Sequence, residues 1–180
     1  AANPRGRSEN SYLARLLGSQ GQAERAVAAA RKALALSKQP PQYVLIAKIL
    51  LKFHRYDVAR DAAEEAIKLS TDEWEPQLLL SRILLRLGEV EHAHRAAVRG
   101  YDLSRREPRA CLWYETINQH LVEAYLKAGR FAEARSCLQI ASSATGADTM
   151  THLHLAKVCL RLGDMNGALR ASGRAAKREV

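Results

Sequence analysis

Five stretches of this chain align on one another without internal gaps, and that periodicity limits the possible folds more than any other feature. They read GQAERAVAAARKALAL, HRYDVARDAAEEAIKL, GEVEHAHRAAVRGYDL, GRFAEARSCLQIASSA and GDMNGALRASGRAAKR. Their first residues are Gly21, His54, Gly88, Gly129 and Gly163, at intervals of 33, 34, 41 and 34 residues. A period of this size belongs to stacked supersecondary units, none of which buries its apolar face alone. In each block a small residue stands at the sixth position (Ala26, Ala59, Ala93, Ala134, Ala168) and another seven residues later (Ala33, Ala66, Gly100, Ala141, Ala175). Seven residues are about two helical turns, so both rows fall on one face of a helix. Upstream of each block, apolar rows at Leu13, Ile46, Leu80, Leu121 and Leu155 and at Leu17, Leu50, Leu84, Tyr125 and Cys159 mark a second helical pattern. Two helices per period predict an all-α solenoid of about ten helices in antiparallel pairs. The expected repeats are about 7–40, 41–73, 74–108, 109–147 and 148–177, within one domain over 1–180.

Composition agrees. The 31 alanines and 25 leucines against 10 Gly and 5 Pro suit packed helices and exclude an all-β or collagen-like chain. With 47% hydrophobic and 26% charged residues the chain is neither disordered nor membrane-embedded in pattern. Its longest apolar stretch, Tyr43 to Leu51, is broken by Lys48, so no membrane insertion is predicted. Cys111, Cys137 and Cys159 are an odd number at wide spacings, which gives neither a disulfide framework nor a CxxC pair and weakly favours a reducing, cytoplasmic address. The segment Ala1 to Asn10 has no apolar signal core, and the chain reads as a processed form or a fragment of a larger one.

Over about Arg7 to Lys177 the pattern resembles the tetratricopeptide repeat family. The features that carry the resemblance are the small residue of the first helix (Ala14, Ala47, Ser81, Val122, Ala156), the turn residue (glycine, or His54), the residue two later (Ala23, Tyr56, Val90, Phe131, Met165) and the two alanine rows. Glycine suits a turn that closes one helix before the next starts, and small residues permit close helix crossing. The sequence departs from the family at the tryptophan expected early in the first helix, where Asn10, Tyr43, Gln77, Asn118 and His152 stand, and keeps the closing proline only as Pro40 and Pro108. The 41-residue interval places seven extra residues around Arg105 to Glu115, which a long helix from about Arg109 to Ala128 would absorb. Cys111, Trp113 and Tyr114 lie in that insertion, to cover the long helix against the third repeat or to form a local docking platform.

Catalytic signatures are missing from the sequence: there is no GxxxxGK, GxSxG, HExxH or GxGxxG. His92 with His94 and His152 with His154 are two apart, so on a helix each pair points about 200° apart and cannot share one metal. No cofactor or metal is therefore expected, and Cys137 and Cys159 read as small apolar packing residues. The acids of the second helices, such as Asp57, Asp61 and Glu65, read as solvated faces with unfavourable like-charge neighbours four apart.

Charge is the remaining signal. The net charge is +9, and 20 of the 28 cations are Arg. The resemblance implies a right-handed superhelix whose first helices line a concave groove. Two groove positions carried across residue by residue give Arg15, Lys48, Arg82, Glu123 and Lys157, then Ser19, Lys52, Arg86, Lys127 and Arg161. Eight of these ten are basic, where the chain average gives about 1.6. An apolar row (Leu51, Leu85, Leu126, Leu160), with Val44, Leu78 and Leu153 one turn earlier, runs alongside. Such a groove suits an acidic, amphipathic peptide. Lys52, Arg86, Lys127 and Arg161 also stand where a cation meets the negative end of a helix dipole, an alternative account of that row. The two-carboxylate clamp of the family's chaperone-binding members is not expected, because Ser11, Arg15, Lys48, Leu78 and Arg82 lack its asparagines and its leading lysine.

The leading expectation is a non-enzymatic adaptor that binds a peptide of a partner protein, with Arg15, Lys48, Lys52, Arg82, Arg86, Lys127, Lys157, Arg161, Val44 and Leu78 lining its groove. Nucleic-acid binding is the first alternative, supported by the arginines and opposed by a groove that lacks aromatics for base stacking. Self-association through the terminal repeats is the second, since the helix from Met165 to Lys177 ends without a polar capping helix.

Overall fold

A computed structural model describes residues 4–36, 39–104, 107–143 and 149–177. Those residues form ten α-helices and no strand: α1 (Pro4–Ser19), α2 (Ala23–Leu36), α3 (Pro40–Lys52), α4 (Tyr56–Leu69), α5 (Trp74–Leu87), α6 (Val90–Leu103), α7 (Pro108–Lys127), α8 (Phe131–Ser143), α9 (Thr149–Arg161) and α10 (Met165–Ala176). The long helix expected over 109–128 is α7, and Pro108, rather than closing a repeat, is its first residue. Pro40 likewise opens α3, where its fixed φ suits the first turn and its missing N–H costs nothing. Arg105 and Arg106, at the start of the insertion, lie outside the described residues.

The chain forms two compact units, 1–114 and 115–180, with the boundary inside α7. In the first, α1 packs on α2, α3 on α4 and α5 on α6, while α2 also meets α3 and α4 meets α5. In the second, α9 packs on both α8 and α10. The alanine rows are what these contacts bury. Ala26, Ala59, Ala93 and Ala134 are fully buried and Ala168 nearly so. In the second row Ala33, Ala66, Gly100 and Ala175 are buried, and Ala141 is half-buried. Ser81, at the small position of α5, donates from Oγ to the carbonyl oxygen of Ala93 on α6 at 2.6 Å, so a polar side chain is satisfied inside the crossing.

Four of the five helix-pair turns use the left-handed backbone region at glycine, with φ 77° at Gly21, 80° at Gly88, 70° at Gly129 and 74° at Gly163. His54 holds the same place with φ 59°, as its alignment with the glycines requires. Its imidazole meets the Tyr56 hydroxyl at 2.6 Å, a local contact that partly offsets the strain of a side chain in this region.

Candidate functional site

The first helices of the first unit carry five of the expected groove cations. Arg15, Lys52, Arg82 and Arg86 are exposed and Lys48 is half-buried. Lys52 reaches back to the end of α1 and donates from Nζ to the carbonyl oxygen of Gly18. That oxygen belongs to a last turn, where carbonyls lack intrahelical partners, so Lys52 serves the helix end as well as the surface. Arg15 and Arg86 form no ion pair with any described residue.

Lys48 and Arg82 belong to a tighter arrangement. The Lys48 ammonium lies 2.6 Å from Oε1 of Glu75, in the first turn of α5, with both side chains about one-third exposed. It also stands 5.4 Å from the ring centre of Trp113, and the Arg82 guanidinium stands 5.3 Å from the same ring. Trp74, which opens α5, meets Trp113 edge to face at 6.0 Å. Each cation–π contact contributes about 0.5–1 kcal/mol at a partly exposed site. Partial desolvation, and then the neighbouring Arg86 charge, lower the pKa of Arg82 from the usual guanidinium range. No described carboxylate pairs with Arg82.

The insertion is what delivers Trp113. Counted back from the apolar row at Leu80 and Leu121, Trp113 aligns with Asp72, which precedes α5; a helix begun at Pro108 is what places a side chain there. The indole packs half-buried against the core of the first unit. The next residue, Tyr114, is buried and stacks on Tyr101 of α6 at 4.4 Å, so the insertion's aromatics do cover α7 against the third helix pair. The expectation that the basic surface lacks aromatics is corrected: Trp113 stands between two of its cations, with Trp74 edge to face against it. Glu75 and Trp74 escaped sequence reasoning because they occupy no fixed groove position, although an aromatic beside an acid at a helix start was visible.

Two further expectations are corrected. Val44 is 5% exposed and Leu78 is fully buried, so neither lines a surface. Leu78 faces the α5/α6 crossing, where its side chain fills the space left by Gly100. The apolar row itself is graded: Leu51 and Leu85 are half-buried in the first unit, whereas Leu126 and Leu160 of the second are exposed.

In the second unit Lys127 on α7 and Lys157 and Arg161 on α9 are exposed and form no ion pair with any described residue. Glu123, the acidic member of the row, is also exposed. Cys137 and Cys159 are buried; Cys137 accepts a hydrogen bond at its carbonyl oxygen from the Asn118 side-chain amide at 3.2 Å. Burial pushes the Cys137 thiol up to about 12, and burial, then the Asp164 carboxylate, raises Cys159. Neither thiol has the electropositive, accessible setting of a nucleophile. Among the described residues no three His, Cys, Asp or Glu side chains gather as a metal site, and no helix is long and apolar enough to cross a membrane.

An open cleft of about 470 Å³ in the first unit is lined by Arg60, Asp61, Glu64, Leu80, Leu84, Glu89 and His92. Its carboxylates outnumber its arginine, so an acidic partner is repelled there. Arg60 lies 3.2 Å from Glu89, 3.8 Å from Asp57 and 4.0 Å from Asp61, so the acids read from sequence as mutually repulsive share a counter-ion. At the last helix Met165 and Leu169 are 61% and 65% exposed, an uncovered apolar edge on α10.

Sequence profiles of the Tetratricopeptide repeat match residues 44–108 and 121–180, and a second profile of the same description matches 13–40. No curated protein matches the chain. Among solved structures, that of MamA protein superposes with a TM-score of 0.75 at 15% identity, covering 98% of this chain and 93% of that one. PilF of Pseudomonas aeruginosa gives 0.66 at 14% identity over 96% and 76%. The Yersinia enterocolitica type III secretion translocator chaperone SycD, in an alternative dimer, gives 0.64 at 17% identity over 70% and 96%. At these identities the structures establish the fold, and the profile matches over well more than half the chain establish the lineage. The chain belongs to the tetratricopeptide repeat family, whose members are in general non-enzymatic scaffolds for protein interaction.

Proposed function

We propose that this chain is a non-enzymatic adaptor that holds an acidic, amphipathic segment of a partner protein against its first helices. The observation that carries the reading is the set of exposed cations without described ion-pair partners, Arg15 and Arg86 in the first unit and Lys127, Lys157 and Arg161 in the second. In the second unit these cations share their helices with exposed Leu126 and Leu160. Cations without a counter-ion among the described residues speed encounter with an acidic chain and set its register, and the leucines supply apolar area. The likeness to a secretion chaperone, SycD, is in keeping with a peptide-holding role.

The test uses a labelled peptide alternating Glu with Leu and its Gln-for-Leu and Gln-for-Glu counterparts. Charge reversal at Arg15 with Arg86, and separately at Lys157 with Arg161, is expected to weaken the Glu–Leu peptide at least tenfold while leaving helicity and melting unchanged, each 1.4 kcal/mol being a factor of ten. Equal binding of the Gln-for-Glu peptide would overturn the reading.

Nucleic-acid binding stands as a second reading, because Trp113 sits between Lys48 and Arg82 and an aromatic amid cations also suits a base beside its phosphate. Single-stranded RNA that outcompetes the Glu–Leu peptide, with a log–log salt slope steeper than about three phosphate contacts give, decides for it.

A further inference from the structure

The Lys48–Arg82 pair differs from the other first-helix cations in already holding both a carboxylate and an indole face. Lys48 holds a carboxylate, that of Glu75, at 2.6 Å. Lys48 and Arg82 both hold an indole, that of Trp113, at 5.4 and 5.3 Å. The occupants therefore state the chemistry the two cations accept: one carboxylate and one aromatic face, side by side. The match is incomplete, because two cations face a single carboxylate and no described acid pairs with Arg82. An aromatic face is a weaker partner for a guanidinium than a carboxylate, so the open side of Arg82 retains affinity for a second anion.

We infer that Glu75 and Trp113 are internal stand-ins for ligand, and that the Lys48–Arg82 pair selects a peptide segment in which an acidic residue neighbours an aromatic one. This rests on the reading of the chain as an acidic-peptide adaptor and names the part of the peptide that the first unit recognises. An incoming carboxylate takes the place of Glu75 on Lys48 or fills the open side of Arg82, and an incoming ring takes the place of Trp113 between the cations. Occupation from within has a quantitative consequence: the apparent affinity equals the intrinsic one reduced by the fraction of molecules in which the stand-ins have left. Removing a stand-in must then tighten binding, the reverse of what loss of a contact residue does. The insertion that gives the fourth first helix its extra two turns thereby acquires a role, since it places the indole of Trp113 over these cations.

The test compares a peptide alternating Glu with Phe, its Gln-for-Glu counterpart and a Glu–Ala peptide by fluorescence anisotropy. E75Q removes the internal carboxylate at constant shape, and W113L keeps apolar volume while removing the π face. Both are expected to bind the Glu–Phe peptide about two- to fivefold more tightly than the parent, a range set by the strength of one cation–π or exposed ion-pair contact. The gain for the Glu–Ala peptide in W113L should be smaller. In a W74F background Trp113 is the sole indole, and its emission should shift to the red as the Glu–Phe peptide displaces it into water. Unchanged or weaker Glu–Phe binding in E75Q, with Glu still preferred over Gln, overturns the inference and leaves the adaptor reading intact. Loss of the preference for Glu over Gln in every form overturns both. Should W113L lower the melting temperature, E75Q and the emission shift decide, and an unmoved emission spectrum on saturation counts against the proposal.

Discussion

The side chain of Leu78 fills the space opposite Gly100: a Cβ built on Gly100 would stand 2.6 Å from Leu78 Cδ2, 2.8 Å from its Cγ and 3.2 Å from Gln77 Cβ. Gly100 occupies the register held by Ala33, Ala66, Ala141 and Ala175 in the other second helices. Helix propensity by itself would make Gly100→Ala stabilising by about 1 kcal/mol. Leu78 is fully buried and cannot yield without displacing its own neighbours, so overpacking of about 1–3 kcal/mol opposes that gain. A net loss of stability is expected, read as a lower urea midpoint at unchanged slope. Truncating the opposing side chain as well, in Leu78→Val with Gly100→Ala, should recover part of it. A single variant more stable than the parent would show that the crossing is looser than its geometry indicates.

Gly88 presents the opposite case. Nothing lies within 4 Å of a Cβ built there, yet its φ is 80°. Gly88→Ala therefore meets no obstacle in space and only a backbone penalty, about 1–2 kcal/mol for an L-residue held in the left-handed region. The expected result is a lowered thermal midpoint without change in the far-ultraviolet spectrum. An unchanged midpoint would mean that the turn relaxes out of the left-handed region when its glycine is lost.

These two positions show how far the sequence could be read. Period, helix count, turn positions and alanine rows were all legible, because each rests on backbone geometry or close approach that few residue types satisfy. Gly100 belongs to the small row by alignment alone. Leu78 is less legible, because apolar residues one turn apart on a first helix face either an open surface or the partner helix, and the pattern alone does not separate them. The Lys48, Glu75 and Trp113 cluster was invisible for a different reason: it joins α3, α5 and an insertion that no other repeat possesses, so periodicity carried no information about it.

Arg60 stands within 4.0 Å of carboxylates on Asp57, Asp61 and Glu89, the last of them on the segment leading into α6. Its side chain is 32% exposed, so each pair is screened, and Arg60→Met is expected to cost roughly 0.5–1 kcal/mol in dilute buffer. The loss comes from three acids left facing one another as much as from the pairs themselves. Raising ionic strength to about 1 M shortens the screening length to about 3 Å and should shrink the difference between parent and variant. A difference that persists unchanged in high salt would assign the effect to packing of the arginine stem instead.

Cys137 ties stability to alkaline pH. Its thiol is fully buried, and burial raises its pKa from 9.0 to about 12. Between those values the folded state keeps a proton that the unfolded state releases, so ionisation favours the unfolded chain increasingly as pH rises above about 9. The contribution is fully present below the unfolded pKa and is lost as pH climbs through the window toward 12. Urea midpoints of the parent should therefore fall between pH 8 and pH 10.5 more steeply than those of Cys137→Ala, whose other titrating groups are the same. The same burial governs reactivity, since thiolate is the attacking species. At pH 8 a thiol-directed alkylating reagent should label half-exposed Cys111 promptly, and Cys137 and Cys159 only at the rate at which their helices open. Mass spectra of native and urea-unfolded protein would separate one fast site from three. Prompt labelling of Cys137 in the native state would place its helix among the least stable parts of the chain, contrary to the burial of Ala134 and Leu138 around it.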